Sequence, residues 1–173
     1  EVPTFPGKPI APVLAQGKAN AAGKATGKPT VSPADYVEIE QLYGWSNIAL
    51  DSGLEDGGMF ARTFVKDGSM QFEGKTAVGH EQLAALAKGQ TPGPKRWLSN
   101  LYVEPTPTGA IGWAYVLTMD GYGVHPTQAA PVLKEGGLYR DELVRTPEGW
   151  RFKSRIYTPG NTVPTSVPLP SVR

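Results

Sequence analysis

An α+β fold is expected from this sequence: a curved antiparallel sheet wrapped by about three N-terminal helices, forming a cone with an internal pocket. Two observations predict it. Apolar residues recur at helical spacing in the first half of the chain, then switch to strict alternation over long runs in the second half. Turn-forming clusters separate the alternating runs, so the strands follow one another as a meander with the helices packed on one face. A strongly curled sheet covered by helices encloses a blind cavity, a usual place for a small ligand.

The first helix is expected to open at Ser32-Pro33-Ala34-Asp35. Serine can cap, proline suits the first helical position, and Asp35 approximates a capping box. Tyr36, Ile39, Tyr43 and Leu50 then recur with Val37, Leu42 and Ile48 beside them, and Gly53 supplies a left-handed stop. A second short helix follows over residues 54–64, weakened by Gly57-Gly58. Lys66-Asp67-Gly68 reads as a turn leading into a short strand that ends at Phe72, and residues 79–88 read as a third helix with Leu83, Leu86 and Ala87 inward. After the Pro/Gly loop from Thr91 to Pro94 come four alternating runs, 96–104, 110–119, 138–144 and 150–157. Their turns are visible in residues 105–109 and 146–149.

Composition narrows the chemistry. The chain has 173 residues, 17 basic against 16 acidic, and a net charge of +1, without the basic surface of a nucleic-acid binder. No apolar run approaches the length of a membrane span. With no cysteine and only two histidines, His80 and His125, thiolate chemistry is excluded and neither a metal site nor a cofactor is expected. Acid–base work falls to carboxylates, tyrosines, arginines and at most one histidine.

Residues 1–32, rich in proline, glycine and alanine, read as an extended or disordered lead-in, with Lys8, Lys18, Lys24 and Lys28 solvated. A removed signal peptide followed by a stalk would account for it, which makes a secreted or periplasmic location the expectation. Residues 33–158 form the domain, and residues 159–173 a Pro-rich tail that can strap across it in extended form.

Several stretches resemble the SnoaL-like, nuclear-transport-factor-2-like superfamily. These are Tyr43-Gly-Trp-Ser-Asn-Ile-Ala-Leu-Asp51-Ser-Gly53 with Phe60 to Phe64, Gly79-His80-Glu81-Gln82-Leu83, Lys95 to Asn100, Leu138 to Arg145 and Gly149 to Arg155. They span residues 33–158 in family order. The resemblance implies the cone fold, and a scaffold that carries isomerases, cyclases, dehydratases, lyases and plain binding domains. It also implies pairing through the open sheet face, hence a homodimer or trimer. In the scytalone-dehydratase branch an acid at the end of the first helix works with two histidines from the sheet. Asp51 matches that acid, Arg96 and Asp120 fall where the histidines are expected, and Tyr139 falls on a pocket asparagine. Both histidines are therefore absent, which sets this chain apart from that branch.

The candidate catalytic residues are Asp51, Arg96, Asp120, Tyr139 and His125. A carboxylate at a helix C-terminus faces the negative end of the dipole, an unfavourable position by roughly 0.3–1 kcal/mol, which suits Asp51 to a functional role. Its plain alternative is a loop cap or a pair with a surface lysine. Arg96 would hold an oxygen or stabilise developing charge, or pair structurally with Asp51 or Asp120. Asp120, next to Gly121-Tyr122-Gly123, has an exposed turn as its alternative. Tyr139 and Asp141 share one strand face. His125 sits in the loop of residues 121–131, which is long enough for a lid; His80 is expected at the surface. Tyr43, Trp97, Asn100, Trp113, Tyr115 and Asp141 are the candidate pocket residues, and an aromatic wall favours a small apolar or aromatic partner. The expected activity is a cofactor-independent lyase, isomerase or dehydratase reaction, with a non-catalytic binding module as the alternative.

Overall fold

The computed structural model describes residues 30–89, 94–120 and 132–160. The lead-in before residue 30, the loop containing His125 and the tail beyond residue 160 lie outside the described residues. Helix α1 (Pro33–Ser52) starts and stops where the capping signals place it. The Ser32 hydroxyl accepts the Asp35 N–H at 3.1 Å, and the Asp35 carboxylate accepts the Ser32 N–H at 3.1 Å. Gly53, at φ 57°, closes the helix with its N–H on the Ala49 carbonyl.

The second helical stretch is broken rather than continuous. A 3-10 turn (Leu54–Gly57), with Glu55 and Asp56 at positive φ, precedes a single turn of α2 (Gly58–Ala61). The low helix propensity of the paired glycines fits that break. Then come β1 (Phe64–Phe72), β2 (Lys75–Val78), α3 (Gly79–Gly89), β3 (Lys95–Thr106), β4 (Gly109–Asp120), β5 (Val132–Thr146) and β6 (Gly149–Pro159).

The six strands form one curved, unclosed sheet in the order β2-β1-β6-β5-β4-β3. Neighbours pair antiparallel, except that β1 runs parallel to β6. Lys66-Asp67-Gly68 is not a turn. It is an irregularity inside β1, where the pairing with β6 jumps between Phe64 and Ser69. Strand β2 is an addition to the expected set. Strand β5 begins six residues earlier than alternation predicts, because Gly136 and Gly137 stay in register with Leu117 and Val116 and the ladder overrides their poor strand propensity.

The core lies between α1 and the inner sheet face. Ile39, Leu42, Ala49 and Leu50 meet Phe60, Leu83, Leu143 and Phe152, and Phe152 sits edge-on to Tyr43 at 5.1 Å. At the start of α1 a polar clasp ties the helix to the β5–β6 hairpin. The Asp35 carboxylate accepts from Trp150 Nε1 at 3.0 Å and pairs with Arg145, while Glu38 accepts from the Trp150 N–H at 2.8 Å. Desolvation pushes the Asp35 carboxyl upward, but hydrogen bonds from Ser32 and Trp150 and the Arg145 charge outweigh it and hold the group below its ordinary value. A depressed carboxyl stabilises the fold above its unfolded pKa of about 3.9, and that stabilisation disappears as pH falls through the lower folded value. Replacing Asp35 by Asn is therefore expected to lower the urea midpoint at pH 7 and to change it less at pH 3. Equal losses at both pH values would show that the charge contributes nothing.

Candidate functional site

Helix α1 turns an unusual face toward the sheet. Tyr43, Ser46, Asn47 and Asp51 are buried along it at helical spacing, interleaved with Ile39 and Leu50. A helix that merely plugged a core would carry apolar residues there. Opposite, β4 turns Ala110, Gly112, Ala114, Val116 and Thr118 inward, a row of mostly small side chains. Gly112 is needed for this approach, since a Cβ there would overlap the Tyr43 hydroxyl and crowd Leu143.

Two buried ion pairs face this interior. Arg96, near the start of β3, donates from its backbone N–H to Asp51 Oδ2 at 2.7 Å and from its guanidinium to Asp51 Oδ1. Both side chains are 7% exposed. The second pair joins β5 to β6. Arg155 donates from Nε and Nη2 to the two oxygens of Asp141, each at 2.9 Å, with both side chains 0% exposed. Its remaining nitrogen, Nη1, donates to Ser46 Oγ at 3.2 Å. The guanidinium carbon stands 4.0 Å from the Phe152 ring centre, 4.3 Å from that of Tyr139 and 5.1 Å from that of Tyr43.

Electrostatics follow from this burial. Desolvation alone would push the Arg155 guanidinium down, yet the Asp141 charge wins and holds it above the ordinary arginine range. Burial raises the Tyr139 phenol against the opposing pull of Arg155 and Arg96, with the charges of Asp141 and Asp51 adding to the rise. Burial likewise raises Tyr43 well above the usual phenol value, reinforced by the Asp141 charge. Both phenols stay protonated at neutral pH and can donate. The side-chain amide of Asn47 is buried with neither Nδ2 nor Oδ1 hydrogen-bonded. Each such group costs about 1–3 kcal/mol unless something satisfies it.

Of the expected site residues, Asp51, Arg96, Tyr139, Tyr43 and Asp141 come together in this interior. Others do not. Asp120 lies at the end of β4 and pairs with Lys134 at 3.2 Å, both half-exposed, so it is not enclosed with them. Trp97 and Tyr115, 41% and 54% exposed, lie on the outer sheet face, because β3 and β4 alternate in the opposite sense to a pocket wall at those positions. Trp113 is also on the outer face, covered there by Tyr102 at 5.7 Å between ring centres. Asn100 is exposed at a β3 bulge with φ 54°, a conformation suited to asparagine, and does not line the interior. His125 lies outside the described residues. His80 is half-buried at the start of α3, its Nε2 3.0 Å from the Phe64 carbonyl.

Arg155, Ser46 and Asn47 were not anticipated. The helix residues carried a usable signal, since polar side chains at positions 46, 47 and 51 share the face of Tyr43. Two surface grooves, of about 410 Å³ beside Tyr36 and Val103 and about 300 Å³ beside Lys66 and Arg151, are lined by none of these interior residues. Among the described residues no helix is long and apolar enough to cross a membrane, and no group of three or more acidic or histidine side chains is placed to hold a metal ion.

Comparison with known proteins agrees with this architecture. The family model for the SnoaL-like domain matches residues 32–156. A protein of unknown function from Mycobacterium tuberculosis is similar at 20% identity and TM-score 0.64, covering 79% of this chain and 83% of its own. Aln2 from a Streptomyces species is similar at 26% identity and TM-score 0.64, covering 78% and 96%. A candidate scytalone dehydratase from Novosphingobium aromaticivorans is similar at 20% identity and TM-score 0.58, covering 73% and 84%. No curated protein matches.

Proposed function

The chain belongs to the SnoaL-like domain family, a fold family that binds small molecules, and on that premise we propose that it is an acid–base enzyme acting on a small apolar or aromatic compound within the polar interior. One observation carries this: a buried carboxylate, Asp51, is held by Arg96 on the same helix face as the partnerless Asn47 amide. Asp51 would act as general base, taking a proton from carbon or oxygen of the substrate. Arg96 positions it and offsets charge that develops nearby. Tyr139, protonated and near both ion pairs, would return the proton or hydrogen-bond a developing oxyanion. Elimination, isomerisation and ring closure all need these steps and no cofactor. Turnover of Asp51→Asn against a panel of small aromatic compounds tests the proposal; turnover near wild type would end it.

A second reading, a non-catalytic binding module, is favoured by Arg96 engaging both oxygens of Asp51. With both oxygens occupied, the carboxylate has less freedom to reach a substrate proton. It predicts that Asp51→Asn alters affinity alone and that bound compounds are recovered unchanged. We also propose that a second copy covers the outer sheet face, where Trp97, Tyr102, Tyr115 and Leu117 stand exposed together. Sedimentation should show an oligomer that Tyr115→Arg converts to monomer; a monomeric wild type would refute it.

A further inference from the structure

We infer that Asn47 is the specificity-determining residue of this interior and selects a neutral ligand that presents a hydrogen-bond donor and an acceptor side by side. The inference rests on the interior taking a small molecule, and it adds which chemistry that molecule carries. Asn47 is 4% exposed, and neither Nδ2 nor Oδ1 meets a partner. It lies one helical turn beyond Tyr43 and one turn before Asp51 on the same face of α1. A buried asparagine kept for the fold is normally hydrogen-bonded to neighbouring backbone or side chains, because more than about 90% of buried polar groups are. This one is not.

A carboxamide offers a donor and an acceptor side by side on one carbon. Its complement is the same pair reversed, as found in a carboxamide, a lactam, or a hydroxyl beside a carbonyl. Charge balance argues for neutrality. Arg96 already faces Asp51, and Arg155 already faces Asp141 through both oxygens. An anionic group brought among these pairs would compete with a carboxylate that has nowhere to go, and a cationic group would meet carboxylates already engaged.

The test uses the whole protein and three probes: benzamide, which has the paired donor and acceptor; benzoate, of the same shape but anionic; and toluene, which has neither. Titration by calorimetry, with the Asn47 side-chain amide followed by NMR, should show benzamide binding wild type at least ~10-fold more tightly than either of the others, the scale of one hydrogen-bonded pair. Asn47→Leu, close in size but apolar, should abolish that preference. It should also raise the melting temperature of the unliganded protein by roughly 2–4 °C, because an unsatisfied buried amide is removed. A lowered melting temperature or failure to fold would show that Asn47 is structural and overturn the inference. So would benzoate or toluene binding wild type as well as benzamide, or none of the three binding. Full turnover in Asp51→Asn would defeat catalysis by Asp51 and leave an Asn47-dependent benzamide preference standing, so the two failures are distinguishable.

Discussion

Asp51→Asn is expected to reduce turnover at least ~100-fold, the usual lower bound for loss of a general base. The substitution is nearly isosteric. The asparagine carbonyl still accepts from the Arg96 backbone, as Asp51 Oδ2 now does at 2.7 Å, so the geometry of the α1–β3 junction survives. What disappears is the ability to take a proton, together with the charge opposite the Arg96 guanidinium. Product formation by mass spectrometry measures the first effect, and thermal unfolding controls for the second. A loss of turnover that merely follows a collapse in stability would assign Asp51 a structural role. A folded variant that binds substrate and fails to convert it would confirm the base.

Arg155→Met is expected to destabilise the protein by about 3–5 kcal/mol, the cost of leaving one member of a buried pair alone. Asp141 would then lose both 2.9 Å bonds from Arg155 while remaining enclosed by the sheet, and Ser46 would lose a donor. The packing of the guanidinium among Phe152, Tyr139 and Tyr43 is lost as well. Replacing both partners together, Arg155→Met with Asp141→Leu, is expected to recover most of that loss, because the uncompensated charge is gone. Chemical denaturation of the two single variants and the double variant measures the coupling. Additive losses would mean that the carboxylate rehydrates and the pair holds nothing in place.

The helix faces were legible from sequence because capping chemistry and the 3.6-residue period are local. Ser32 and Gly53 bound α1 as their side chains predict, and Leu83 and Ala87 turn inward on α3. Tyr139 and Asp141 share one face as alternation predicts, since nothing interrupts β5 between them. Positions near irregularities were not legible. Asn100 marks a bulge in β3, and on β6 an extra residue at Lys153 shifts the register between Phe152, opposite Leu143, and Ser154, opposite Glu142. Strict alternation from Trp150 and Phe152 sends Arg155 to the outer face. The bulge turns it inward, beneath Ser46.

Three features are readable from the chain alone: helices ahead of a long meander, a first helix ending at Asp51 and Gly53, and chemistry resting on carboxylates, arginines and phenols. Each of those follows from residues close together in the chain or from composition. Which charges meet is set by long-range packing. Arg96 reaches Asp51 across 45 residues, Asp141 takes Arg155 rather than facing a ligand unpaired, and Asp120 goes to Lys134 at the rim. The pairing of buried charges depends on sheet register, and a one-residue bulge reverses the face on which a side chain lands.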